Sequence, residues 1–73
     1  MSDTIGGAIR KRRRRLGLSQ GALALKANVP RVSIQRYESD STVPSVDRVH
    51  QIAKALDTTV DNLIADTGSD TDA

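Results

Sequence analysis

Cysteine is absent from the 73-residue sequence, and the single tyrosine is its only aromatic residue. Without a thiol there is no disulfide framework, zinc knuckle or iron–sulfur ligand set, and redox compartment is left open. One aromatic is too few for RNA-binding modules that stack several bases on ring faces. No apolar run approaches the ~20 residues of a membrane span. The opening residues MSDTIGGAIR lack the basic-then-apolar order of a secretory signal. A chain of this length is one domain at most. It buries only about 60% of its unfolded surface, so its stability is expected to be marginal. No nucleophile–base pair, metal cluster or phosphate loop stands out, so neither an enzyme nor a cofactor is expected.

What is present is charge, unevenly placed. Residues 1–38 hold nine Lys/Arg against Asp3 and Glu38, a net +7, whereas residues 39–73 hold Arg48 and Lys54 against seven Asp, a net −5. A basic half beside an acidic half fits a polyanion-binding face and a face kept off it. A solvated helix surface followed by an acidic tail accounts for the same numbers.

Every periodic segment repeats at helical spacing, and none alternates like a strand. Thr4 is an N-cap for a first helix that carries Ile5, Ile9 and Leu16 on one face and ends at Gly17. Gly6 and Gly7 weaken its first turn by up to ~1 kcal/mol each relative to alanine. Ser19 caps a second helix, 20–27, with Leu23, Ala24 and Ala27 inward. Asn28 tolerates a left-handed turn, and Pro30 pre-sets a third helix, 31–39, that buries Ile34 and Tyr37 with Val29 as an anchor. After the loop SDSTVP, Ser45 caps a fourth helix to about residue 56, with Val46, Val49, Ile52, Ala53 and Leu56 inward. Thr59 caps a short fifth helix holding Val60, Leu63 and Ile64. The expected fold class is all-α: one domain over 1–65 and a disordered acidic tail over 66–73.

The second and third helices are joined by a turn of about three residues, which sets them at a steep crossing, as in a helix-turn-helix. Small Ala24 allows close approach, and Val29 and Ile34 lock one helix on the other. The third helix then presents Arg31, Val32, Gln35 and Arg36 outward, with Ser33 at the rim. Long hydrogen-bonding side chains on the exposed start of a helix are what base reading in a major groove requires.

The segments LGLSQGALALKANVPRVSIQRYES and VPSVDRVHQIAKALDTTVDNLI resemble the lambda-repressor/Cro-like (XRE-type) helix-turn-helix DNA-binding domains over residues 5–64. The resemblance implies a compact five-helix fold with the helix-turn-helix at helices two and three. It also implies residue roles. Arg31, Val32 and Arg36 match positions that meet base edges; Val32 is suited to a thymine methyl. Gln20 matches a glutamine that bonds the DNA backbone and braces the recognition helix. Ser33 and Gln35 fall at phosphate or flanking positions. Ser39, Ser41 and Thr42 lie in a loop that approaches phosphates through N–H groups and hydroxyls. Arg13 and Glu38 match an ion pair joining the first and third helices, with Arg13 also near the DNA backbone.

Five residues depart from the family pattern. Pro30 supplies no capping oxygen where serine or threonine is common. Gly21 and Ala22 stand where glutamates are frequent, weakening the capping box. Arg12 occupies an apolar position on the inner face, from which it can snorkel outward. Asp40 replaces a loop glycine.

Other features admit ordinary explanations. The run KRRRR at 11–15 is open to a targeting role, phosphate attraction by its outward members, or simple solvation, since five consecutive helical residues point all round. His50 has no second ligand at helical spacing and is expected at the core edge. Asp47 and Asp57 read as helix-end and loop residues.

The resulting expectation is a sequence-specific double-stranded DNA-binding transcriptional regulator of repressor type, cytoplasmic and prokaryotic or phage-encoded. Helix 31–38 docks in the major groove, and a homodimer binds a near-palindromic site with half-sites about one helical turn apart. Val60, Leu63 and Ile64 are the expected dimer contact, weak in solution and strengthened on DNA. The rival from another class is an antitoxin-like or coactivator-like protein-interaction module on the same fold. A membrane-surface role is not expected, because neither a one-sided basic face nor the aromatics it needs are present.

Overall fold

The computed structural model describes residues 4–67. It contains five helices: α1 (Ile5–Arg15), α2 (Gln20–Ala27), α3 (Arg31–Glu38), α4 (Val46–Ala55) and α5 (Val60–Thr67), with no strand among the described residues. Helix α5 continues to Thr67, so the first two residues of the expected tail are helical. The remainder of that tail lies outside the described residues.

Each helix begins and ends for a local reason. The Thr4, Ser19, Ser45 and Thr59 hydroxyls accept the N–H of Gly7, Ala22, Arg48 and Asn62 at 3.0, 3.0, 3.2 and 3.1 Å, each satisfying an orphan donor. Helix α3 has Pro30 before it and no side-chain cap. Helices α1 to α4 all end by the same device. A left-handed residue (Gly17, Asn28, Asp40 and Asp57, φ 73°, 58°, 63° and 56°) turns the chain back. The next N–H then bonds a carbonyl five residues earlier: Leu18 to Arg13, Val29 to Ala24, Ser41 to Arg36 and Thr58 to Ala53. This is the Schellman pattern, which closes the orphan carbonyls of a helix end.

The core draws on every helix. Ile9, Leu23, Ile34, Ile52, Leu56 and Leu63 are fully buried, each contributing roughly 1.5–3 kcal/mol of hydrophobic free energy. Tyr37 joins them, as expected. Helix α1 packs on α3 and α5, α2 on α3 and α4, and α4 on α5.

Three expectations about the inner faces change, and a fourth, for Arg12, holds. Leu16 is 40% exposed, because α1 stops at Arg15 and the Gly17 turn brings Leu18 against the core instead. Val46 is in register with Val49 yet 79% exposed, whereas Val49 is buried. His50 is exposed rather than at the core edge. Arg12 does lie on the inner side, half-buried, with Nε donating to the Leu56 carbonyl at 3.3 Å and Nη2 to that of Asp57 at 3.2 Å. A guanidinium at the C-terminal end of α4 satisfies carbonyls there and complements the helix dipole.

Gly6 is buried because the Tyr37 carbonyl stands where its Cβ would be. That close approach is what brings α1 against the end of α3. Gly6→Ala is expected to lower stability by about 1–3 kcal/mol through overpacking. Gly21→Ala, with only Ser19 Oγ at 3.9 Å from the new methyl, is expected to raise it by up to about 1 kcal/mol. Thermal denaturation of both variants checks the contrast; equal effects would contradict it.

Candidate nucleic-acid interface

Helices α2 and α3 are joined across residues 28–30, with Ala24 and Ala27 buried at the crossing and Val29 buried in the turn. Ile34 and Tyr37 face inward from α3, which leaves Arg31, Val32, Gln35 and Arg36 exposed. These positions are i, i+1, i+4 and i+5 and form one face. Val32 is 50% exposed between the two arginines' positions, an apolar contact inside a charged row. Ser33 is half-buried at the rim, as its spacing implied.

This face is held by a buried ionic joint. Arg13 Nε and Nη2 donate to the two Glu38 carboxylate oxygens at 2.7 and 2.9 Å, and Nη1 donates to the Leu18 carbonyl at 2.7 Å. Gln20 Nε2 donates to the same carboxylate at 3.2 Å. One glutamate thereby ties α1, the start of α2 and the end of α3 together. The bidentate geometry is the strong form of such a pair. Hydrogen bonding to Glu38 raises the Arg13 guanidinium above the ordinary arginine value, burial pulls it down, and the carboxylate's charge adds to the rise. No buried side-chain polar atom among the described residues lacks a partner.

Of the two roles expected of Arg13, the structure carries the ion pair: its side chain is only 11% exposed and its guanidinium bonds Glu38 and the Leu18 carbonyl, at the base of the groove beside α3 that it helps to line. The expectation for the loop after α3 changes. The N–H groups of Ser41 and Thr42 bond the Arg36 carbonyl at 2.9 and 3.4 Å, and the hydroxyls of Ser39 and Ser41 bond each other at 2.9 Å. The O–H groups of Ser39, Ser41 and the exposed Thr42, which can rotate to donate, rather than these two bonded N–H groups, are what this loop offers a phosphate. Leu63 is fully buried in the core and has no surface for a partner. Of the three expected dimer residues, half-buried Val60 and Ile64, 56% exposed, remain.

Asp40 takes the left-handed conformation that a glycine would take in this loop, so the substitution preserves the turn. It also sets a carboxylate just past the negative end of α3. Asp40→Gly is expected to raise stability by about 0.5–1 kcal/mol by relieving the left-handed strain and that repulsion. Urea denaturation checks it, and a lowered stability would contradict it.

Arg10 and Arg14 are functional candidates that spacing alone did not single out. Together with Gln20, Gln35 and Ser39 they line a shallow groove beside α3. Their separation of four within the basic run is the available signal, obscured because every neighbour is basic as well.

Comparison with known proteins agrees with this geometry. A family model described as helix-turn-helix matches residues 9–63. The DNA-binding domain of the P22 c2 repressor in solution is 31% identical, with 88% of this chain and 84% of that one covered and a TM-score of 0.81. The P22 c2 repressor in complex with synthetic operator 9T is 33% identical over 84% of this chain and 92% of that one, with a TM-score of 0.76. SinR, the master regulator for biofilm formation, in complex with DNA is 29% identical over 84% of this chain and 98% of that one, with a TM-score of 0.79. A search of curated protein sequences found no match. With its two crossing helices, its buried joint and a match across most of its length, this chain belongs to the helix-turn-helix family.

Proposed function

We propose that the chain is a sequence-specific, double-stranded DNA-binding transcriptional regulator that inserts α3 into the major groove. The observation that carries this reading is the exposed row Arg31, Val32, Gln35 and Arg36 on a helix fixed from behind by Glu38. Arginine reads guanine in bidentate fashion and valine packs against a thymine methyl, which makes the row a reader of base edges. Gln20, Ser33, Ser39, Ser41 and Thr42 surround it as backbone or flanking contacts that set register. The P22 c2 repressor in complex with synthetic operator 9T and SinR in complex with DNA support the DNA-binding part of this reading.

The regulator acts by binding rather than catalysis, as a repressor on cytoplasmic, nucleoid DNA. A homodimer on a near-palindromic operator, with half-sites about one helical turn apart, fits the single reading helix per chain. Val60 and Ile64 on α5 are its contact, and the small apolar area they offer makes the dimer depend on DNA for its strength. Selection of bound sites from a random duplex pool tests the reading. It is expected to return one enriched motif with two-fold symmetry; recovery of no motif would sink specific recognition, and an unpaired half-site would sink the dimer.

A further inference from the structure

The basic residues at 10–15 are sorted by the fold into different tasks. Arg12 and Arg13 turn inward, onto the end of α4 and onto Glu38. Arg10 and Arg14 lie one turn apart on α1, exposed, in the groove they share with Gln20, Gln35 and Ser39. Neither has an ion-pair partner among the described residues. Glu38, the one carboxylate of the groove, is already matched by Arg13 and Gln20. Two uncompensated positive charges therefore flank the recognition helix. Lys11 and Arg15 stand outside the groove.

The position of α1 decides what those charges meet. Helix α1 packs directly on α3, and packed helices have axes about 8–10 Å apart. A major groove is about 12 Å wide, so its phosphate ridges lie nearer than that to the axis of a helix seated in it. Arg10 and Arg14 share their groove with Gln35 of the reading face and with Gln20 at the start of α2, so with α3 seated in a major groove they stand at its edge, where the nearest acceptors are phosphate oxygens rather than base edges.

We infer that Arg10 and Arg14 form a phosphodiester-binding site on the α1 flank of the recognition face, an inference that rests on the DNA-binding reading above. The site adds affinity without adding choice of sequence, because the DNA backbone is the same at every operator.

The test is a salt titration of the whole chain carrying Arg10→Gln and Arg14→Gln, against the duplex enriched by selection and a scrambled duplex. Glutamine is nearly as good a helix former as arginine, so α1 is retained; far-UV circular dichroism checks it. The dependence of log affinity on log salt is expected to become shallower by about 0.9 for each phosphate no longer neutralised. Binding is expected to weaken on both duplexes by the same factor, on the order of tenfold or more in ~0.1 M salt. Arg10→Lys with Arg14→Lys retains the slope, since charge is what counts, and Lys11→Gln with Arg15→Gln leaves it nearly unchanged. A slope unaltered by the glutamine pair overturns the inference, and so does weakening confined to the selected duplex, which would make the pair base readers. If the unsubstituted chain binds neither duplex, the DNA-binding reading falls and takes the inference with it; if that chain binds while the glutamine pair keeps the full slope, the inference alone falls.

Discussion

Glu38→Ala is expected to lower the free energy of unfolding by about 3–5 kcal/mol, because it strands a buried guanidinium rather than merely deleting an ion pair. Arg13 would keep only the Leu18 carbonyl, and Gln20 would lose its acceptor. A surface pair would count for about 0–1 kcal/mol; the burial of both side chains, 11% and 4% exposed, puts this one in the other class. A domain of this size holds roughly 4–11 kcal/mol of stability in all, so the variant loses a large share of it. Replacing the pair together, Arg13→Met with Glu38→Leu, removes the stranded charge and is expected to restore most of the stability. Urea denaturation of the three proteins settles the matter. A Glu38→Ala variant within about 1 kcal/mol of the parent, on the scale of an exposed pair, would show that the joint is not what holds α3 to α1.

The second large effect is on recognition. Arg31→Ala and Arg36→Ala are each expected to weaken binding to the selected duplex by about 1–3 kcal/mol per bidentate base pairing. Together they should bring it down towards the level of a scrambled duplex. Both arginines are exposed and neither takes part in the Arg13–Glu38 joint, so helicity and unfolding midpoint should change little. The signature is a collapsed ratio between selected and scrambled sequences, together with relaxed preference at the base pairs that the arginines read. Substitution of Arg10 and Arg14, by contrast, lowers both affinities in parallel. Intact operator binding by the Arg31→Ala/Arg36→Ala protein would remove α3 as the reading element.

Much of this is legible in the residues, for reasons that are local. Caps, turns and helical periods act over three or four residues, so Thr4, Ser19, Ser45, Thr59, Gly17 and Asn28 mark helix ends without reference to the rest of the fold. The outward row of α3 is equally readable, since burying Ile34 and Tyr37 forces Arg31, Val32, Gln35 and Arg36 to the other side. The pairing of Arg13 with Glu38 comes from family resemblance, not from spacing; nothing in the local sequence says which of several adjacent arginines turns inward.

Helical periodicity throughout determined by itself that this is an all-α domain, and the basic first half with the three-residue turn pointed one charged helix at a polyanion. Only tertiary structure decided how the arginines at 10–15 divide their work. A helical wheel gives directions but not neighbours, and the neighbours here are the end of α4 for Arg12, Glu38 for Arg13 and the groove beside α3 for Arg10 and Arg14. The same holds for Leu63 and Val46, one drawn into the core and the other left exposed. Burial depends on what another helix brings to the site, and the missing Cβ of Gly6, which lets α1 close on α3, sets part of that packing.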